Sequence, residues 1–183
     1  MSKVCVFFAT GFEEIEALTV VDILRRGKID VDMVSVTEEK KVTGSHKITV
    51  EMDKTLGEVD FAQTDMIVLP GGMPGTKNLE ACTPLMEQVD SFFAKGKYIA
   101  AICAAPSIFG HRGILKGKDA CSYPGWESHL EGANVKMDAV AVDGHVITSR
   151  GMGTAIPFGL AIIEQLVNKE AAVQMKESIV FLG

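Results

Sequence analysis

The sequence predicts an α/β fold: a mostly parallel central sheet with helices on both faces. Three observations carry that expectation. Apolar runs at Lys3–Phe8, 31–36, Met66–Leu69 and Tyr98–Ile102 read as strands buried on both sides, without the alternation of a half-exposed strand. Helical patterns fill the gaps, at 12–26, 76–95 and 104–113. Strand and helix therefore alternate nearly throughout, as in consecutive parallel βαβ units.

Each element has local support. Thr10 with Glu13 three residues on forms a capping-box pattern ahead of the first helix, and Gly27 is placed to end it. Gly44-Ser45 between two polar β-type runs reads as a hairpin over 41–51. Pro70-Gly71-Gly72 stops the third strand, and Thr83-Pro84 interrupts the helix after it. Pro106 is tolerated in the first turn of the next helix. Cys121-Ser122 end a further strand, and Asp143-Gly144 turns between strands at 139–142 and 145–148. Helices over 153–168 and Lys169–Ser178 complete the chain. The 183 residues suffice for one domain, which at this size buries roughly 70% of its unfolded surface.

Composition excludes several functions. Lys plus Arg number 18 against 24 Asp plus Glu, and no basic stripe is present, which disfavours nucleic acid and anionic membrane as partners. No run approaches the ~20 apolar residues of a membrane span. The first apolar run is too short for a signal peptide, so a cytoplasmic location is expected. Cys5, Cys82, Cys103 and Cys121 contain no CxxC pair, so free thiols are expected rather than a zinc site. The sequence calls for no metal and no cofactor.

Candidate chemistry centres on Cys103. It lies between the strand ending at Ile102 and a helix expected from Ala104, among the small residues Ala100, Ala101, Ala104 and Ala105. That is the backbone logic of a nucleophile elbow, although the G-x-S-x-G spelling is absent. A helix N-terminus favours a thiolate and should bring the thiol below ~8.5. The other reading of such a residue is an inert cysteine in a tight turn. A second element, Leu69-Pro70-Gly71-Gly72-Met73-Pro74-Gly75, lets backbone N–H groups face a small ligand, or is simply a turn. A third, Gly11-Phe12-Glu13-Glu14-Ile15-Glu16, opens a helix with three carboxylates. For Glu13 and Glu14, dipole complementarity on a solvated face suffices.

Taken together with Ala101-Ile102-Cys103-Ala104-Ala105-Pro106 and Thr148-Ser149-Arg150-Gly151-Met152-Gly153-Thr154, these motifs resemble the ThiJ/PfpI superfamily, in a bacterial-type member of its DJ-one branch. The resemblance covers essentially the whole chain and implies a single domain over 1–183, similar to class I glutamine amidotransferases. It implies a flavodoxin-like sandwich, usually a homodimer. By the same resemblance Cys103 is the oxidation-sensitive nucleophile and Glu16 the acid bonded to it. Gly72 and Ala104 supply oxyanion-type N–H groups, with Gly71, Arg150 and Tyr123 also lining the substrate site. Asp22, Arg26 and Ser149, with Arg150, match positions at the dimer interface and the mouth of the site. Two departures stand out. Ala104 replaces the histidine of the protease-like branch, which counts against proteolysis. Tyr123, before Pro124, replaces a histidine of animal members, as bacterial relatives do. His46, His111, His129 and His145 are then surface or structural residues.

Two like charges ~4 Å apart repel by about 4 kcal/mol at an effective dielectric of ~20, so thiol and carboxyl should hold one proton between them. Glu16 is expected to keep it. The function expected is a glutathione-independent glyoxalase or protein deglycase. Its partners would be small 2-oxoaldehydes such as methylglyoxal, or glycated proteins, and its product a 2-hydroxy acid. The alternative is an oxidative-stress sensor or chaperone in which Cys103 is oxidised without turnover.

Overall fold

The computed structural model describes residues 2–183. Its principal sheet has seven strands. They are β1 (Lys3–Phe8), β2 (Asp30–Ser35), β5 (Lys54–Thr55), β6 (Met66–Leu69), β7 (Tyr98–Ile102), β10 (Val140–Asp143) and β11 (Val146–Ser149). Their order is β10-β11-β7-β6-β1-β2-β5, and all neighbours are parallel except β10 and β11. β3 (Lys41–Thr43) and β4 (Thr49–Glu51) form the expected hairpin, while β8 (Asp119–Ala120) and β9 (Asn134–Val135) make a small parallel pair.

Helices cover both faces, giving the flavodoxin-like sandwich. On one face α1 (Glu14–Arg26), α5 (Ala155–Leu166) and α6 (Lys169–Ser178) bury Val4, Val6, Phe8, Val68, Ala100 and Ile102. On the other, α2 (Gly75–Glu80), α3 (Thr83–Ala94) and α4 (Pro106–His111) bury Cys5, Phe7, Ile67, Leu69, Ile99 and Ala101. Successive strand residues enter opposite cores. This is why the strands read as unbroken apolar runs.

Several boundaries differ from those expected. α1 is capped by Glu13, whose carboxylate accepts the Glu16 N–H at 2.7 Å, and not by Thr10. Gly27 ends that helix with an ordinary φ of −71°, and Lys28 takes the left-handed conformation instead. α4 begins at Pro106, because Ala104 and Ala105 are used in the turn out of β7. α5 begins at Ala155, after a 3-10 turn over Met152–Thr154. β8 ends at Ala120, one residue before Cys121. The two-residue strands β5 and β9 were not foreseen, since two residues carry no periodicity.

The parallel strands deliver their carboxyl ends to one edge of the sheet. There β1 leads to the start of α1, β6 to Gly71-Gly72, β7 to Cys103 and β11 to Arg150. Ligands of open parallel sheets bind at this edge. Phe12 anchors the first of these connections. It is fully buried and meets Phe8 edge-to-face at 4.8 Å. Phe12→Ala should therefore cost about 3–5 kcal/mol, measurable by urea unfolding, through a cavity beneath the first turn of α1.

Candidate active site

Cys103 leaves β7 in the left-handed region, at φ +67°. A non-glycine residue there costs on the order of 1–3 kcal/mol and persists only if its surroundings hold it. Both of its peptide groups are held. Its N–H donates to the Ser149 carbonyl at 3.0 Å, and its carbonyl accepts the Tyr123 N–H at 2.8 Å. Buried Ala104 and Ala105 let the chain turn at once into α4.

This turn points the thiol at Glu16. The two groups lie side by side across Gly71 and interact, and the N–H groups of Gly72 and Ala104 act on the sulfur in the opposite sense, favouring its charged form. Glu16 is 1% exposed, and its Oε2 accepts the Gly71 N–H at 3.1 Å. Gly71 is required by the closeness of the pair. A Cβ there would stand 2.5 Å from Cys103 Cβ, 2.6 Å from Glu16 Oε2 and 3.0 Å from the sulfur. Gly72, at φ +95°, packs against the backbone of Gly11 to Glu13, and the Glu13 N–H donates to the Gly71 carbonyl at 2.9 Å.

The electrostatics differ from expectation. Burial pushes Glu16 up to about 7. Burial, followed by the neighbouring Glu16 charge, pushes Cys103 up to about 12, and the Gly72 and Ala104 N–H groups offset only part of this. The thiol is therefore not the isolated low-pKa group foreseen from a helix N-terminus. α4 has only six residues and starts three positions beyond the sulfur, so its dipole is a weak counterweight. The two groups form one coupled acid that carries a single proton above neutrality.

The remaining sequence-derived residues fall into three places. Tyr123 and Arg150, with Pro124, Met137, Gly151 and Met152, line a cavity of about 510 Å³. Gly151 separates it from the acid: a Cβ there would lie 3.2 Å from the Tyr123 ring and 3.8 Å from Glu16 Oε1. The Arg150 guanidinium is turned to the carbonyls of Ser122 and Met137, each at 3.3 Å. Ser149 is fully buried and supports this loop through Ala139 O at 2.8 Å and Thr154 Oγ1 at 2.7 Å. Asp22 and Arg26 pair with each other at 2.8 Å on the exposed face of α1 and do not join the constellation.

The sequence reading missed the roles of Glu13 and Glu14, which are not solvated helix-opening carboxylates. Glu13 is the cap of α1. Glu14 is buried and accepts His46 N at 2.7 Å and His46 Nδ1 at 2.9 Å, clamping the hairpin to the helix. Glutamate is uncommon as a cap, so pattern alone did not single it out. Glu13, Glu14 and His46 could converge on a cation, with donor atoms within 4.8 Å, but Glu14 is already engaged by His46 and Ser45. Thr154, also unforeseen, accepts the N–H groups of Arg150 and Gly151. Of the other thiols, Cys5 and Cys121 are buried against Thr64 and Thr148, and Cys82 is half-buried.

A left-handed cysteine at the end of a parallel strand, beside a buried glutamate, has the backbone geometry of a nucleophile elbow on an α/β fold. The chain belongs to the DJ-1/PfpI family, whose description matches residues 2–165, and to its DJ-1 branch. It is 38% identical over 180 residues to Protein DJ-1 homolog B of Arabidopsis thaliana, covering 97% of this chain and 41% of that protein. The chain thus spans about two fifths of that plant relative. It is 35% identical over 181 residues to the glutathione-independent glyoxalase DJ-1 of Schizosaccharomyces pombe, covering 93% and 94% of the two chains. The structure of oxidized Toxoplasma gondii DJ-1 matches with a TM-score of 0.95 at 34% identity over the whole of both chains. Among the described residues, no helix is long and apolar enough to cross a membrane.

Glu16 has a folded value of about 7, above the ~4.3 of an unfolded glutamate, so the native state binds more protons between those values. Stability contributed by the protonated acid is full below ~4.3 and is lost as pH rises through about 7. Glu16→Gln removes the charge and keeps an acceptor for Gly71. In urea unfolding it should exceed the wild type by about 3–4 kcal/mol at pH 8 and match it near pH 4. A gain that does not depend on pH would contradict this.

Proposed function

We propose that the chain is a cofactor-independent, glyoxalase-type enzyme that acts on small 2-oxoaldehydes such as methylglyoxal, or on their early adducts with proteins. The observation that carries this is the close apposition of the Cys103 sulfur and the buried Glu16 carboxyl across Gly71, with the Gly72 and Ala104 N–H groups acting on the sulfur. The name of the fission-yeast relative agrees with it.

The reaction follows from the shared proton. The Cys103 sulfur attacks the aldehyde carbon while its proton passes to Glu16. The new oxyanion lies among the N–H groups that had faced the sulfur. Glu16 gives that proton to the oxyanion, which completes the hemithioacetal and leaves Glu16 a carboxylate. It then takes the hydrogen of the first carbon as a proton and returns it to the second, while the hydroxyl proton moves from the first oxygen to the second, and the hemithioacetal becomes a thioester of a 2-hydroxy acid. Water cleaves the thioester, releasing lactate in the case of methylglyoxal and restoring the thiol. Atoms balance as one methylglyoxal plus one water to one lactic acid, with no external oxidant or metal.

One comparison favours a second reading. The Toxoplasma relative is an oxidized form, and in a sensor role Cys103 would be oxidised to a sulfinate held by protonated Glu16. The dimer that the resemblance implies would use the exposed Asp22–Arg26 face of α1. Cys121-Ser122-Tyr123-Pro124 supports a bacterial-type member.

Turnover of methylglyoxal to lactate by the purified protein decides between the two. Cys103→Ala should lose it entirely and Glu16→Gln should lower kcat by about 10²–10⁴-fold. Wild-type turnover in Cys103→Ala would end the enzymatic reading, and no turnover by the wild type would favour the sensor.

A further inference from the structure

Glu13 lies behind the acid of the pair, and its placement is unusual for a helix-opening carboxylate. Its Oε2 accepts the backbone N–H of Glu16 at 2.7 Å, closing the first turn of α1 around the residue that faces the sulfur. Its own N–H donates to the Gly71 carbonyl, while the Gly71 N–H donates to the Glu16 carboxylate. Glu13 therefore touches both supports of Glu16, the helix turn and the glycine loop. Its side chain is only 13% exposed, and the nearest cationic group is His46 Nδ1 at 4.0 Å, which Glu14 holds more closely.

We propose that Glu13 is a positioning residue for the Cys103–Glu16 pair: its carboxylate fixes Glu16 against the sulfur, and its negative charge strengthens Glu16 as the acceptor of the thiol's proton. The inference rests on the pair proposed above as the reactive centre.

The groups facing Glu16 from each neighbouring element are few. They are Cys103 and the Gly71 N–H, with Gly151 on the cavity side and Glu13 beneath. Among the described residues, no Lys or Arg acts on the acid. After burial, the Glu13 charge is what raises its proton affinity. Arg150, next to Gly151, is directed to carbonyls and to Glu127. The charge works in the direction that nucleophilic chemistry needs. A carboxyl that holds its proton more tightly leaves a larger fraction of sulfur as thiolate within the singly protonated pair.

The test uses alkylation of Cys103 by iodoacetamide across pH, read by peptide mass so that Cys82 is resolved, and it needs no substrate. Glu13→Gln keeps an acceptor for the Glu16 N–H and removes only the charge. The pH inflection of the pair should fall by about one unit, and the plateau rate above it should fall severalfold, with the thermal midpoint unchanged. Glu13→Ala should show the same two changes together with a lower midpoint, because the cap is lost as well. A Glu13→Gln profile that overlays the wild type would overturn the proposal. Failure of the protein to turn over methylglyoxal would not affect this profile, so the two readings fail separately.

Discussion

One proton held between two buried acids is the constraint around which the site is built. A thiol and a carboxyl in hydrogen-bond contact cannot both ionise at neutral pH, and burial sharpens that exclusion. The surroundings favour the contact at every side. Gly71 has no side chain because any Cβ would collide with both partners. Cys103 keeps a costly left-handed conformation because Ser149 and Tyr123 hold both of its peptide groups. Two backbone N–H groups meet the sulfur, and one meets the carboxylate.

The fold supplies this contact by bringing distant segments to one edge. Glu16 belongs to the first helix, Gly71 follows β6, and Cys103 follows β7, with Ser149 of β11 holding the cysteine backbone. Strand register makes the arrangement rigid. Leu69 pairs with Ala101 and Ile102 with Ser149, so the loops leave the sheet at matched heights. Two apolar cores, one on each face, clamp these strands from above and below. A cavity lined by Tyr123, Arg150 and two methionines adjoins the pair across Gly151.

Much of this was legible in the sequence, for physical reasons. Strands buried on both faces give continuous apolar runs, which located β1, β6 and β7 to the residue. The cluster of small residues around Cys103 signalled a tight turn. What pattern could not convey was tertiary. Glu13, Glu14 and Glu16 look alike in a row, yet one caps the helix, one clamps the hairpin through His46, and one faces the sulfur. The low thiol pKa expected from a helix dipole is opposed by burial, which pushes the thiol up. That inference placed the helix start at Ala104 and left out the desolvation that a buried elbow imposes. Two-residue strands such as β5 and β9 exist only through their partners.

The most direct measurement is the rate of iodoacetamide alkylation at position 103 against pH, in the wild type and in Glu16→Gln. A shared proton predicts a wild-type rate that rises through an inflection near pH 7, where the pair loses its first proton, and then levels off. The variant should lack that step. An identical inflection in both proteins, or a single rise near the ~8.5 of an ordinary thiol in each, would show that the sulfur and the carboxyl titrate independently.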